Sequence, residues 1–87
     1  MLTGMDIVEV RTLATQLDSS ASSIQDIVGQ LTAALNGANW IGPDRESFVG
    51  EWQGAHCQQL NAVIASLQDA ANKARMNADE QEAAASR

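Results

Sequence analysis

Apolar residues recur along the chain at spacings of three and four, and the recurrence is interrupted once. Val10, Leu17, Ile24 and Leu31 lie seven apart, and Leu13, Ser20, Ile27 and Ala34 form a second series. This is the a/d pattern of a heptad repeat, sustained over about four heptads. A flanking row, Ile7, Ala14, Ala21, Val28 and Leu35, widens the apolar stripe to roughly 100° of the helix circumference. Nothing alternates with period two, so a strand reading fails. Asp6 with Glu9 three residues on reads as a capping box, so the pattern predicts a first helix over about residues 6–36. The serines Ser19, Ser20, Ser22 and Ser23 lower the local helix propensity. They predict a weak point and not a turn, because the heptad phase runs through them.

The interruption is Asn36–Pro43. It contains the only proline and two of the six glycines. Gly37 suits the left-handed position after a helix C-terminus, and Pro43 suits the first turn of the next helix, where its missing N–H does no harm. Asp44 and Glu46 follow, favouring the positive end of a helix dipole. The turn is therefore predicted at about 37–42 and a second helix at about 43–82. Along that helix Leu60, Leu67 and Ala74 lie seven apart, with Val63 and Ala70, and Ile64, Ala71 and Ala78, beside them. Phe48, Val49, Trp52 and His56 extend the same face upstream. Beyond Ala70 the stripe narrows to alanine. The end of the chain carries Asp79, Glu80 and Glu82 near a helix C-terminus, the wrong sign for the dipole, so a frayed tail running to residue 87 is expected.

A short break makes two helices antiparallel neighbours. The expected fold is all-α, a single helical-hairpin domain over residues 1–87. Two rods share a narrow seam, and the apolar faces are wider than one seam needs. The excess points to a second hairpin and a four-helix bundle. Val10, Leu13, Leu17, Ile24, Ile27, Val28, Leu31, Phe48, Trp52, Leu60, Val63, Ile64 and Leu67 are the expected packing residues of hairpin and dimer.

Composition supports a need for a partner. A chain of 87 residues buries a small fraction of its surface and needs a staple. One cysteine cannot form an internal disulfide, and one histidine with one cysteine cannot supply a structural zinc site. Oligomerisation remains. The net charge of −6, with Arg11, Arg45, Lys73, Arg75 and Arg87 scattered, excludes the basic stripe of a nucleic-acid binder and disfavours an anionic membrane surface. Met1–Asp6 lacks the features of a secretory signal, and no apolar run approaches the ~20 residues of a membrane span. Synthesis in the cytoplasm is expected.

Catalytic chemistry lacks a constellation. His56 and Cys57 are adjacent, which on a helix points them about 100° apart, so they do not make a nucleophile–base pair. The expected roles are an edge of the interhelix seam for His56 and small-residue packing for Cys57. A di-iron Glu-x-x-His motif is absent, since Gln53 stands three before His56. Gly50 and Gly54 form a Gly-x-x-x-Gly spacing, expected to allow close approach of a helix or a large side chain. No enzyme, metal or cofactor is expected.

Trp40 resists a bland explanation. A tryptophan in a turn either folds back as a plug on the helix ends or stands out as a recognition element. Trp40-Ile41-Gly42 is a Trp-x-Gly triplet at the middle of a short chain, between two heptad-patterned helices. With Pro43, Asp44, Phe48, Trp52 and Leu60 it resembles the actinobacterial branch of the WXG family, the small early-secreted-antigen proteins of type VII secretion. The resemblance covers roughly residues 6–80. It implies a hairpin paired with itself or a paralogue, and export without a cleaved signal peptide. It also implies recognition by the membrane ATPase of the secretion machine, the only link to a membrane. Trp40 and Gly42 would form part of the export signal, completed by a C-terminal Tyr-x-x-x-Asp/Glu motif. The chain contains no tyrosine. Arg75 with Asp79 and Met76 with Glu80 hold the spacing without the aromatic ring, so Met76, Asp79 and Glu80 are candidates for a degenerate tail signal; either a heterodimer partner carries the tyrosine, the favoured explanation, or the signal has diverged, or the chain is not exported on its own. The alternative is a cytosolic, chaperone-like adaptor that masks the hairpin of a larger effector and is not itself exported.

Overall fold

The computed structural model describes residues 6–86; Met1–Met5 and Arg87, the ends of the expected domain, lie outside them. A first helix, α1 (Ile7–Gly37), is followed after a short turn by α2 (Pro43–Glu51), a π-helical segment (Trp52–His56) and α3 (Cys57–Ala85). The last three follow one another without a break and form one rod, and no strand occurs among the described residues. The rods make a hairpin of 66 × 17 × 16 Å. A ~46 Å rod is what 31 residues of α-helix give.

Local chemistry accounts for each boundary. Asp6 caps α1, its Oδ1 accepting the Glu9 N–H at 3.1 Å, which satisfies one of the helix's unpaired first-turn donors. The serine cluster remains helical. Gly37 does not take the expected left-handed position. It is the last helical residue, and Ala38 follows in an extended conformation with its N–H on the Leu35 carbonyl. The only positive φ among the described residues is at Gly42, with φ 129° and ψ 179°. The chain reverses there because Pro43 fixes its own φ and disfavours helical geometry in the residue before it. Gly42 then caps α2 and its carbonyl accepts the Glu46 N–H at 3.2 Å. At the far end α3 continues to Ala85, beyond the low eighties.

The π segment has a geometric consequence. The Cys57 N–H reaches back five residues to the Trp52 carbonyl, which inserts one residue into the helical register. Residues on either side change phase by one position. Cys57, not His56, therefore sits toward α1: Cys57 is half-buried and His56 is exposed, with its ring 6.4 Å from that of Trp52. The expectation that His56 edges the seam fails for this reason.

The seam is centred on the row that flanked the heptads in the sequence. Ala14 and Ala21 of α1 and Ile64, Ala71 and Ala78 of α3 are buried. Ile7, Val10, Leu17, Ile24, Val28 and Leu35 are half-buried beside them, as are Trp52, Leu60, Leu67 and Ala74. Small residues at the centre let two helices approach closely along their length, while the larger ones close the sides.

Candidate protein-binding surface

The seam has two flanks of different chemistry. One is polar. The Arg11 guanidinium donates to Asp79 Oδ1 at 2.9 Å and also to Glu82. Arg75 pairs with Asp18. Nearer the turn, Trp52 Nε1 donates to Thr32 Oγ1 at 2.8 Å, and Thr32 Oγ1 donates to the Val28 carbonyl at 2.7 Å. Arg11, Asp18 and Thr32 stand seven and fourteen apart on α1; Arg75 and Glu82 stand seven apart on α3. An antiparallel pair advancing one heptad in each helix brings these residues opposite one another on a single side. The hydrogen bonds to Asp79 and Glu82 hold Arg11 further toward its charged form.

The other flank is apolar and uncovered. Leu13, Ile27, Leu31, Phe48 and Val63, all expected among the packing residues, are between 47% and 52% exposed and stand outside the seam. Leu13 and Ile27 are fourteen apart on α1. On the second rod the extra residue of the π segment carries Phe48 into phase with His56 and Val63. Without that insertion Phe48 would turn away from this flank. Leu31, Leu35, Phe48 and Trp52 line a shallow groove of about 180 Å³ where the flank meets the turn. Between Leu13 and Ile27 the flank is thinner, because Ser20 stands there, and beyond Val63 it continues on the second rod as Ala70.

The turn continues this apolar surface. Trp40 lies against Phe48, with ring centroids 5.5 Å apart and planes tilted by 55°, and remains 38% exposed. It is thus partly folded back and partly displayed. Ile41 is 91% exposed at the apex. Gly42 needs to be glycine: its φ,ψ lies in a region that residues with a Cβ almost never enter. By contrast, a Cβ at Gly50 or Gly54 would meet nothing within 4 Å. The close approach expected at the Gly-x-x-x-Gly spacing is not made within this hairpin.

The tail residues divide. Met76 and Glu80 are exposed, whereas Asp79 is engaged by Arg11 and Arg75 by Asp18. Both members of the Arg75-x-x-x-Asp79 pair are thus tied to α1. The periodicity located the apolar excess but not this ion-pair ladder, whose signal was the heptad spacing of Arg11 and Asp18 against Arg75 and Glu82.

Among the described residues, no group of three or more His, Cys, Asp or Glu is placed to hold a metal ion. No described helix is long and apolar enough to cross a membrane. No family model, no curated protein and no solved structure matches the chain.

Proposed function

We propose that this chain is a small substrate of a type VII secretion system, resembling the WXG family, and that it works as one half of a homo- or heterodimer. It is a binding protein without catalysis. The observation that carries the reading is the uncovered apolar flank of Leu31, Phe48, Ile27 and Val63, with Trp40 and Ile41 displayed beyond it at the turn. A hairpin this thin buries few large side chains, and covering that flank with a second hairpin forms a four-helix bundle. Trp40 and Gly42 are the Trp-x-Gly element of the export signal. Gly42 shapes the turn and Trp40 offers an indole edge, the kind of group enriched at binding hot spots. The secretion ATPase is the expected partner in the membrane machinery. The protein is made in the cytoplasm and leaves without a cleaved signal peptide.

A second reading is supported by the tail. Asp79, one acid of the degenerate signal, is bound within the chain by Arg11, and no tyrosine accompanies it. A non-exported adaptor that masks the hairpin of a larger effector needs only the apolar flank and no free tail. Substituting Trp40→Ala separates the two. As an export substrate the variant keeps its helicity and copurifies with its partner, but disappears from the culture filtrate of the native host. Retention of wild-type chain inside the cell, with partner binding unaffected by Trp40→Ala, would favour the adaptor and overturn the export reading.

A further inference from the structure

The two halves of the hairpin are held by different forces. Near the turn, α1 contributes Ile24, Val28 and Leu35 to the seam, and α3 contributes Leu60, Ile64 and Leu67. Near the chain ends α1 still contributes Ile7, Val10 and Leu17, but the apolar residues that α3 sets against them are only Ala71, Ala74 and Ala78. An alanine has one methyl group to remove from water, so α3 gains less from apolar burial in this half. All three cross-helix ion pairs among the described residues lie in this alanine half, Asp18–Arg75 at its inner edge and Arg11 with Asp79 and with Glu82 at its outer end.

Glu82 stands in the last turn of α3, where a negative charge is unfavourable. Antiparallel packing brings Arg11, in the second turn of α1, beside it, and the guanidinium offsets that charge. These contacts also tie down the acidic end of α3, where the sequence predicts fraying.

We infer that Asp18–Arg75 and Arg11–Asp79/Glu82 form an electrostatic latch. It holds the C-terminal half of α3 on α1, and this half opens as a unit while the turn half stays closed. The Arg11 pairs are exposed and Asp18–Arg75 is half-buried, so salt reaches all of them and weakens the Arg11 pairs most: the screening length falls to ~3 Å at 1 M ionic strength. Opening lifts Ala71 and Ala78 off the seam and frees Asp79 and Glu82. The latch is internal to the hairpin and does not depend on the export reading.

Amide hydrogen exchange on the full chain, in its native oligomeric state, tests this inference. Raising NaCl from ~20 mM to ~1 M should speed exchange in residues 71–85 about tenfold while residues 57–67 change little. Arg75→Asp, which sets two carboxylates against each other, should do the same at low salt. The exchanged pair Asp18→Arg with Arg75→Asp should restore the slow exchange and its salt dependence. Uniform acceleration along α3, no response to salt, or failure of the exchanged pair to rescue would each overturn the latch. If Arg75→Asp alone unfolds the chain, the exchanged pair and the salt series on the unsubstituted protein still decide.

Discussion

Trp52 joins three parts of the structure: the π segment it opens, the groove it lines with Leu31, Leu35 and Phe48, and the polar flank it reaches through Thr32. Truncating a fully buried aromatic to alanine costs about 3–5 kcal/mol. Trp52 is half-buried, so Trp52→Ala is expected to cost about 2–3 kcal/mol, its hydrogen bond included. For a chain of this size each kcal/mol moves the midpoint by about 4–8 °C, so the variant should melt about 10–20 °C below the parent. Trp52→Phe keeps most of the ring and loses the N–H donor, which isolates the bond to Thr32 at about 1 kcal/mol. Thr32→Val removes the acceptor. The double variant should cost less than the two single ones added together, because they delete one shared interaction. Thermal melts followed by circular dichroism at a fixed protein concentration measure the parent and all four variants; the concentration must be held because any association raises the midpoint. A Trp52→Ala variant that melts within a few degrees of the parent would refute the packing assigned to Trp52. Full additivity of Trp52→Phe and Thr32→Val would refute the bond.

Gly42→Ala should destabilise by about 1–3 kcal/mol, because alanine must enter a glycine-only conformation or move the turn; an unchanged melting curve would contradict the turn geometry. Ala21→Leu forces a larger side chain into the centre of the seam and should cost about 1–3 kcal/mol by overpacking, measured by urea unfolding. Ile41→Ser lies at the exposed apex and should leave stability within about ±0.5 kcal/mol; a larger loss would mean that Ile41 packs within the protein as purified. Cys57→Ala removes one sulfur from a half-buried position and should leave oligomeric state unchanged under oxidising and reducing conditions, as size exclusion would report.

The hairpin was legible in the sequence because its signals were local and redundant. Asp6 and Glu9 marked one helix start, Pro43 another, and the heptad rows ran without a phase change between them. The face was harder to place. Three apolar rows on α1 were compatible with several seam centres. Close packing chose the row with Ala14 and Ala21, leaving Leu13 and Ile27 outside. On the second rod the π segment shifted the phase by one residue, and nothing in Trp52–His56 announces an i→i+5 turn. That hidden insertion is why His56 faces solvent and Cys57 faces α1. The turn was half legible: glycine was recognised as necessary, but the constraint sits at Gly42 before the proline and not at Gly37 after the helix. On its own helix the tail is a run of acids ending with Glu82 in the last turn, the wrong sign for the dipole. Only the antiparallel register brings Arg11 to it.

The proposal that this hairpin pairs through its apolar flank is tested most directly by its mass in solution. Light scattering coupled to size exclusion at micromolar concentration should report a species at least twice the 9.2 kDa chain mass. Ile27→Glu with Val63→Lys should abolish that species, because both side chains lie on the uncovered flank and neither lies in the hairpin seam. A folded, strictly monomeric 9.2 kDa protein with a cooperative thermal transition would contradict the pairing.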